Sequence, residues 1–271
     1  KFSITGGTFS SDVSDYVSSG YECKKDSDTQ KWVVNEMTPG DMVVKPETGD
    51  NNSASATLDG VYDGNNTSIE TGGTGEGDTS ASGEVTDTGS IKIDLSTESE
   101  TTTSATLTVT SVAAESLKNA PELTVKTDAG DVTLPEDALK KVTEAGEGGN
   151  DVTVTVTKEN NISGDDIKAA YTVTVEANGE NLLPASAADN GDITITVAKP
   201  EGESTIEAWY AVKNASGAWL PVELLDSKEN NGKLAITITH LSTVILYSTT
   251  LSSSTVATVK TGNTETAYDN F

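Results

Sequence analysis

From Ser90 onward the chain alternates apolar or β-branched residues with polar ones, and this alternation restricts its fold more than any other feature. Segments such as DVTVTVTK, AYTVTVEA and DITITVAK place Val, Ile or aromatic residues at every second position, which is typical of strands with one buried face. Turn residues, for example Asn190-Gly191-Asp192, separate about ten such segments. An antiparallel β-sandwich is therefore predicted for residues 90–250.

Two short helices are predicted to interrupt these strands. One covers Val112 to Asn119. The other covers Pro135 to Ala145, because Pro135 suits a first helical turn, acidic residues follow it and Gly146 can end the helix. The predicted fold class is thus all-β, an antiparallel β-sandwich with two short helices.

The sequence outside this region has a different composition. Residues 1–35 contain two or three short strand-like segments, too few to form a core alone. Residues 36–89 are rich in Gly, Ser, Thr, Asp and Asn, and such a composition buries little apolar surface, so a flexible acidic linker is predicted. Within it, Thr57 to Glu70 contains a few apolar residues, and an edge hairpin is the alternative for that stretch. Residues 251–271 are expected to form a linker that leads into a further module.

Two parts of the chain resemble large repetitive surface proteins of gut Gram-positive bacteria. The segment ITGGTFSSDVSDYVSSGYECKK, residues 4–25, looks like the end rung that closes a parallel β-helix in such proteins, with an independent hairpin as the alternative. From about Leu107, the order of strands and helices resembles their surface-layer-type sandwich domains, which commonly end in a strand with His, Leu or an aromatic residue, and Ser. The resemblance implies a structural or adhesive spacer rather than an enzyme, with neighbouring modules of the same polypeptide as partners.

The charge and cysteine content exclude several classes of function. The formal net charge is −26, and all 17 basic residues are lysine. Nucleic acids and anionic lipids are bound by positive patches, often through arginine, so neither is an expected partner. No apolar run approaches the ~20 residues that cross a bilayer, so no membrane insertion is expected either. Cys23 is the only cysteine, which rules out an intramolecular disulfide, and an exported bacterial protein at the cell surface is expected.

The stretch Gly232 to Ser248, GKLAITITHLSTVILYS, contains the only histidine. Its alternation predicts one final strand, with His240 and Ser242 as a buried polar pair. The tripeptide His240-Leu241-Ser242 is also similar to the self-cleavage site of the autoproteolysis-inducing domains of adhesion receptors. That similarity implies that Ser242 attacks the carbonyl carbon of Leu241 while His240 takes the proton. Residues two apart on a straight strand are separated by ~6.6 Å, so this reaction requires a kink at Leu241.

Two other kinds of site remain open from the sequence. Trp209, Tyr210 and Trp219 are candidates for binding a glycan or a host surface protein, and packing within the sheet is the alternative for them. Acidic loops are candidates for calcium, with ordinary Asx turns as the alternative. The carboxylates in question are Asp165, Asp166, Asp189 and Asp192, besides Asp26 and Asp28. No other cofactor is expected, since a single His and a single Cys disfavour a transition-metal site.

Overall fold

The structure is a computed structural model. It describes residues 3–18, 20–37, 40–47, 52–66, 68–72, 81–97, 102–160, 162, 166–184, 190–203 and 205–248, and the backbone of 257–261 and 264–268. The strands of the first half are β1 (Gly7–Phe9), β2 (Tyr21–Lys25), β3 (Trp32–Glu36), β4 (Met42–Glu47), β5 (Ser53–Gly60), β6 (Glu70–Thr71), β7 (Ser82–Val85), β8 (Ile91–Asp94), β9 (Ser104–Val109), β10 (Glu122–Lys126) and β11 (Asp131–Pro135).

The strands of the second half are β12 (Val152–Lys158), β13 (Ile167–Ala177), β14 (Glu180–Asn181), β15 (Ile193–Ala198), β16 (Ile206–Lys213), β17 (Trp219–Asn230), β18 (Lys233–Ile238), β19 (Thr243–Ser248), β20 (Ala257–Thr261) and β21 (Thr264–Tyr268). The α-helices are α1 (Ser111–Ser116) and α2 (Glu136–Glu147), and single 3-10 turns cover Ser14–Tyr16 and Leu117–Asn119. The all-β sandwich with two short helices is confirmed.

The main body consists of two sheets that share one long strand. The front sheet has the order β6-β4-β5-β9-β12-β13-β19-β16 and ends on the first half of β17. The back sheet begins with the second half of β17 and continues as β18-β15-β11-β10-β8-β7. At the other side, a bridge between Ile69 and Gly83 links the β6 and β7 ends. A Cβ on Gly83 would lie 2.8 Å from Ile69, so this close approach requires glycine. The two sheets are therefore connected at both sides, through β17 and through this bridge.

Most neighbouring strands are antiparallel, as predicted, but three pairs are parallel: β4 with β6, β5 with β9, and β8 with β10. The alternating segments behave as expected. In β12, Val152, Val154 and Val156 point into the core, and the intervening threonines lie half-buried on the outer face. Local alternation fixes which residues face the core, but it contains no information on which strands pair.

The two helices pack against each other beside the strands of the core. Thr110 caps the N-terminus of α1 by accepting a hydrogen bond from the amide of Ala113 at 3.3 Å. The contact with α2 is tight at Gly146, where a Cβ would lie 2.8 Å from the carbonyl oxygen of Ser111. Gly146 lies inside α2 and not beyond its end, because the helix continues to Glu147. None of the helices in the described ranges is long and apolar enough to cross a membrane.

The linker predicted for residues 36–89 is wrong over the residues that the structure describes there. β4 and β5 are inserted next to β9 in the front sheet. Ala54, Ala56 and Leu58 of β5 are at most 1% exposed. The physical reason is that small residues can form the buried face of a strand that is close to its neighbours, even though their sequence has the polar, low-complexity character of a linker.

The two ends of the chain form small sheets of their own. At the N-terminus, β1, β3 and β2 make a three-stranded antiparallel sheet, which differs from the parallel stacking of a β-helix rung. A single parallel bridge between Ile4 and Val17 adjoins it. Within residues 251–271, the backbone of β20 and β21 forms an antiparallel hairpin.

Hydroxyl side chains form cross-strand pairs on the outer face of the front sheet. Oxygen–oxygen distances are 3.0 Å for Ser104 with Thr157, 3.2 Å for Thr106 with Thr155, and 2.9 Å for Thr172 with Thr243. Such pairs stabilise neighbouring strands by a few tenths of a kcal/mol to ~1 kcal/mol each. These side-chain pairs therefore add to the backbone hydrogen bonds that hold the strands of the front sheet together.

Candidate functional site

The His240-Leu241-Ser242 segment forms a corner between the two sheets. β18 ends at Ile238 in the back sheet, and β19 begins at Thr243 in the front sheet. The prediction of one straight final strand is wrong, because the alternation continues through the corner and gives no sign of the bend. The kink that self-cleavage would need is therefore present near Leu241.

The side chains at this corner do not form the pair that self-cleavage requires. His240 is 8% exposed and packs edge-on against the ring of Tyr210, with ring centroids 4.7 Å apart. Its Nε2 atom has no hydrogen-bond partner among the described residues. Ser242 is half-buried, and no hydrogen bond in the described part of the chain joins its hydroxyl to His240. A general base must be within hydrogen-bond reach of the proton that it takes.

Backbone hydrogen bonds anchor the corner on both sides. The amide of Leu241 donates to the carbonyl of Leu183 at 2.8 Å, and the amide of Val173 donates to the carbonyl of Ser242 at 3.1 Å. Asn190, which is 1% exposed, donates from Nδ2 to the carbonyl of Thr239 at 2.8 Å. The corner is thus positioned by its neighbours, and the geometry favours a structural role for His240 through burial and ring packing.

The three aromatic candidates for ligand binding do not form a common surface. Trp209 is half-buried and Trp219 is 8% exposed, and both belong to a small apolar cluster on the outer face of the front sheet. Tyr210 points the other way, toward the main core and His240. Lys213 lies 4.2 Å from the ring centre of Trp219, in a cation–π contact. These are packing contacts within the protein, and the three rings do not form one surface on which a sugar could stack.

The β16–β17 hairpin instead exposes aliphatic residues that the sequence analysis did not single out. Leu220, Val222 and Leu224 are 46%, 55% and 56% exposed, and Val212 of β16 is 39% exposed. In the sequence, apolar residues at every second position from 220 to 224 predict a buried strand face. The exposure of these side chains is therefore not expected from the sequence. A bulge between Tyr210 and Ala211 shifts the register, so the apolar residues of β17 do not all turn to the core.

The acidic loops show no calcium site in the described residues. Asp165 and Asp189 lie outside those residues. Asp166 accepts a hydrogen bond from the hydroxyl of Tyr247 at 3.4 Å, and Asp192 is exposed. Asp26 accepts bonds from Thr29 and Asp28, an Asx-type turn in which the bonds from Thr29 lower the pKa of its carboxyl. No group of three or more His, Cys, Asp or Glu residues in the described ranges is placed to hold a metal ion.

A groove of about 500 Å³ lies between the N-terminal sheet and the β4–β6 end of the front sheet. Lys24 forms an ion pair with Glu22 of its own strand at 2.8 Å and a second one across the groove with Glu70 of β6 at 3.3 Å. Burial by itself lowers the pKa of Lys24, but the two carboxylates outweigh that effect and raise it. Lys24, one of three lysines that line this groove, is therefore paired on both sides, and its contact with Glu70 joins the small sheet to the sandwich.

Neither the family models nor the curated proteins nor the solved structures that were compared with this chain gave a match.

Proposed function

We propose that this chain is a structural spacer of a secreted or cell-surface protein and that it carries tension through its front sheet. The observation that supports this most is the position of β19. The last strand of the sandwich lies inside the front sheet, paired with β13 on one side and β16 on the other. A strand that is hydrogen-bonded to a neighbouring strand on each side is difficult to pull out of a sheet.

The direction of the strands supports the same proposal. Counted through the pairings across the front sheet, β4 and β19 run in the same direction. The chain therefore enters this sheet at one end of its strands and leaves at the opposite end. Pulling on the two ends slides β19 lengthwise against its neighbours and loads their hydrogen bonds together.

Composition is consistent with this role outside a cell. A net charge of −26 keeps a protein soluble at high local concentration. Stability rests on packing and on hydroxyl pairs such as Thr172 with Thr243, which joins β13 to β19. None of these features depends on a cofactor or on a redox state.

Single-molecule force spectroscopy tests the proposal. Handles placed before β4 and after β19 load the front sheet lengthwise. A matched control pulls the same protein between Glu201 and Asn231, which lie at the same end of the paired strands β15 and β18, so that those strands separate one residue pair at a time. We expect a clearly higher unfolding force in the first geometry. Equal or lower force there contradicts the spacer function.

A further inference from the structure

The hairpin edge, defined as Trp219 to Leu225 of β17, is an open strand edge with apolar side chains on both sides. Within the described part of the chain these residues pair with β16 alone, since the pairing with β18 begins at Asp226. Apart from Tyr16, every large hydrophobic residue that is exposed in the described part of the chain lies on this hairpin.

The two faces next to this edge both carry exposed apolar groups. One face of the hairpin turns to the core farther along the strand, and on this face Leu220 lies opposite Val212. On the other, outer face of the hairpin, Leu224 lies opposite Trp209. An added strand places alternate side chains on alternate faces. It would therefore meet Leu220 with one set of side chains and Leu224 with the other, while its backbone pairs with the open edge.

The β4 side of the front sheet, as far as the structure describes it, has more protecting residues than the hairpin edge. Among the described residues β4 pairs with β6 at Val43 and Val44, and the strand continues beyond this pairing as Lys45, Pro46 and Glu47. Charged residues and proline are the usual means of blocking an edge. The hairpin edge has one proline, Pro221, which removes a single donor, and one charged residue, Glu223, but three of its other residues are exposed aliphatics.

The area and the charge of this surface decide what can cover it. Four half-exposed aliphatic side chains offer on the order of a few hundred Å², whereas a stable dimer buries about 800 Å² on each partner. A second copy also brings a net charge of −26 against −26. Strands β16 and β17 carry four carboxylates, Glu207, Glu223, Asp226 and Glu229, against two ammonium groups, Lys213 and Lys228, so the hairpin itself is also net negative. A narrow, basic occupant fits better than another copy.

We propose that the hairpin edge binds an extended polypeptide strand of another protein, one in which apolar residues alternate with lysine or arginine. Backbone hydrogen bonds to the edge provide affinity, and the apolar side chains cover Leu220, Val222 and Leu224. The basic residues pair with Glu223 and Asp226. This interaction goes beyond the spacer function and does not depend on it.

The test measures binding of a short capped peptide of alternating lysine and valine to the full chain, by calorimetry and by hydrogen exchange. We expect binding that weakens with salt and protection of the amides of the hairpin edge. Replacing Leu220→Thr and Leu224→Thr together removes apolar contact on both faces and should lower the affinity by about tenfold or more. The matched control, Tyr16→Thr, removes an exposed aromatic residue elsewhere and should bind as the wild type does.

Four outcomes overturn the proposal. They are equal binding of a glutamate–valine peptide, unchanged affinity in the double variant, protection of amides outside the hairpin edge, and dimers of the free chain that the double variant abolishes. Circular dichroism and the thermal midpoint establish that the double variant is folded. If it is not, the single variant Leu224→Thr replaces it with the same expected direction.

Discussion

Asp59 is the residue whose replacement tests the packing of the N-terminal region most directly. Its side chain is 2% exposed. Its Oδ1 atom accepts hydrogen bonds from the hydroxyl of Thr110 at 2.8 Å, the amide of Gly60 at 2.9 Å and the amide of Gly20 at 3.3 Å. Its Oδ2 atom lies 3.4 Å from Nζ of Lys45. One carboxylate thus joins the residue before β2, the end of β5 and the cap of α1.

The magnitude follows from the donors that a replacement leaves behind. Asp59→Ala removes the acceptor of two amides and a hydroxyl at a buried position, and each unsatisfied group costs ~1–3 kcal/mol. Lys45 is partly exposed and can turn to water, so we expect a total loss of about 3 kcal/mol in the free energy of unfolding. That loss corresponds to a fall of roughly 6–12 °C in the thermal midpoint for a domain of this size. Asp59→Asn keeps the shape and one acceptor oxygen and should cost about 1 kcal/mol.

Urea unfolding followed by circular dichroism measures both variants, with the slope of the transition compared to confirm that the same surface unfolds. Thr110→Val, alone and combined with Asp59→Ala, completes a double-mutant cycle. The reasoning is refuted if Asp59→Ala costs less than about 1 kcal/mol, or if its effect and that of Thr110→Val are simply additive.

Three further predictions concern other parts of the molecule. Gly146→Ala should destabilise the protein by ~1–3 kcal/mol despite better helix propensity, since the new Cβ meets the backbone of α1; a gain in urea midpoint would contradict this. Burial raises the pKa of Tyr171, so the unfolded chain loses this proton first and stability should fall as pH rises above about 10. Tyr171→Phe should weaken that decline, and an unchanged pH dependence would rule out this cause. Intact-mass spectrometry should show one chain; cleavage between Leu241 and Ser242 that Ser242→Ala abolishes would establish self-cleavage instead.

The sequence predicted the parts of the fold in which burial follows a local period. β12, β13 and β15 were identified from β-branched residues at every second position, and α2 from its proline and acidic first turn. β5 was missed because its buried face is built from Ala54, Ala56 and Leu58, and small residues resemble a linker in composition. Close packing against β9, rather than side-chain size, makes those alanines part of the core.

The candidate sites were predicted less well, because they depend on breaks in the period. Thr239 to Ser242 turn between sheets although the alternation continues, so the burial of His240 was predicted and its lack of a hydroxyl partner was not. At Val222 the register shift reverses which residues face the core. An apolar strand in the sequence consequently became an exposed edge in the structure.

The interior position of β19 in the front sheet also has a consequence for how the chain folds. β13 and β16 are joined through β19, so this part of the sheet can form only when residues 243–248 are available. In the same way, β5 can pair with β9 only when residues 104–109 are available. Contacts between residues far apart in sequence slow folding. A chain that leaves a ribosome or an export channel from its N-terminus therefore cannot complete the front sheet until its last sandwich strand has emerged. This order of events delays the final closure of the front sheet until the whole sandwich has been released.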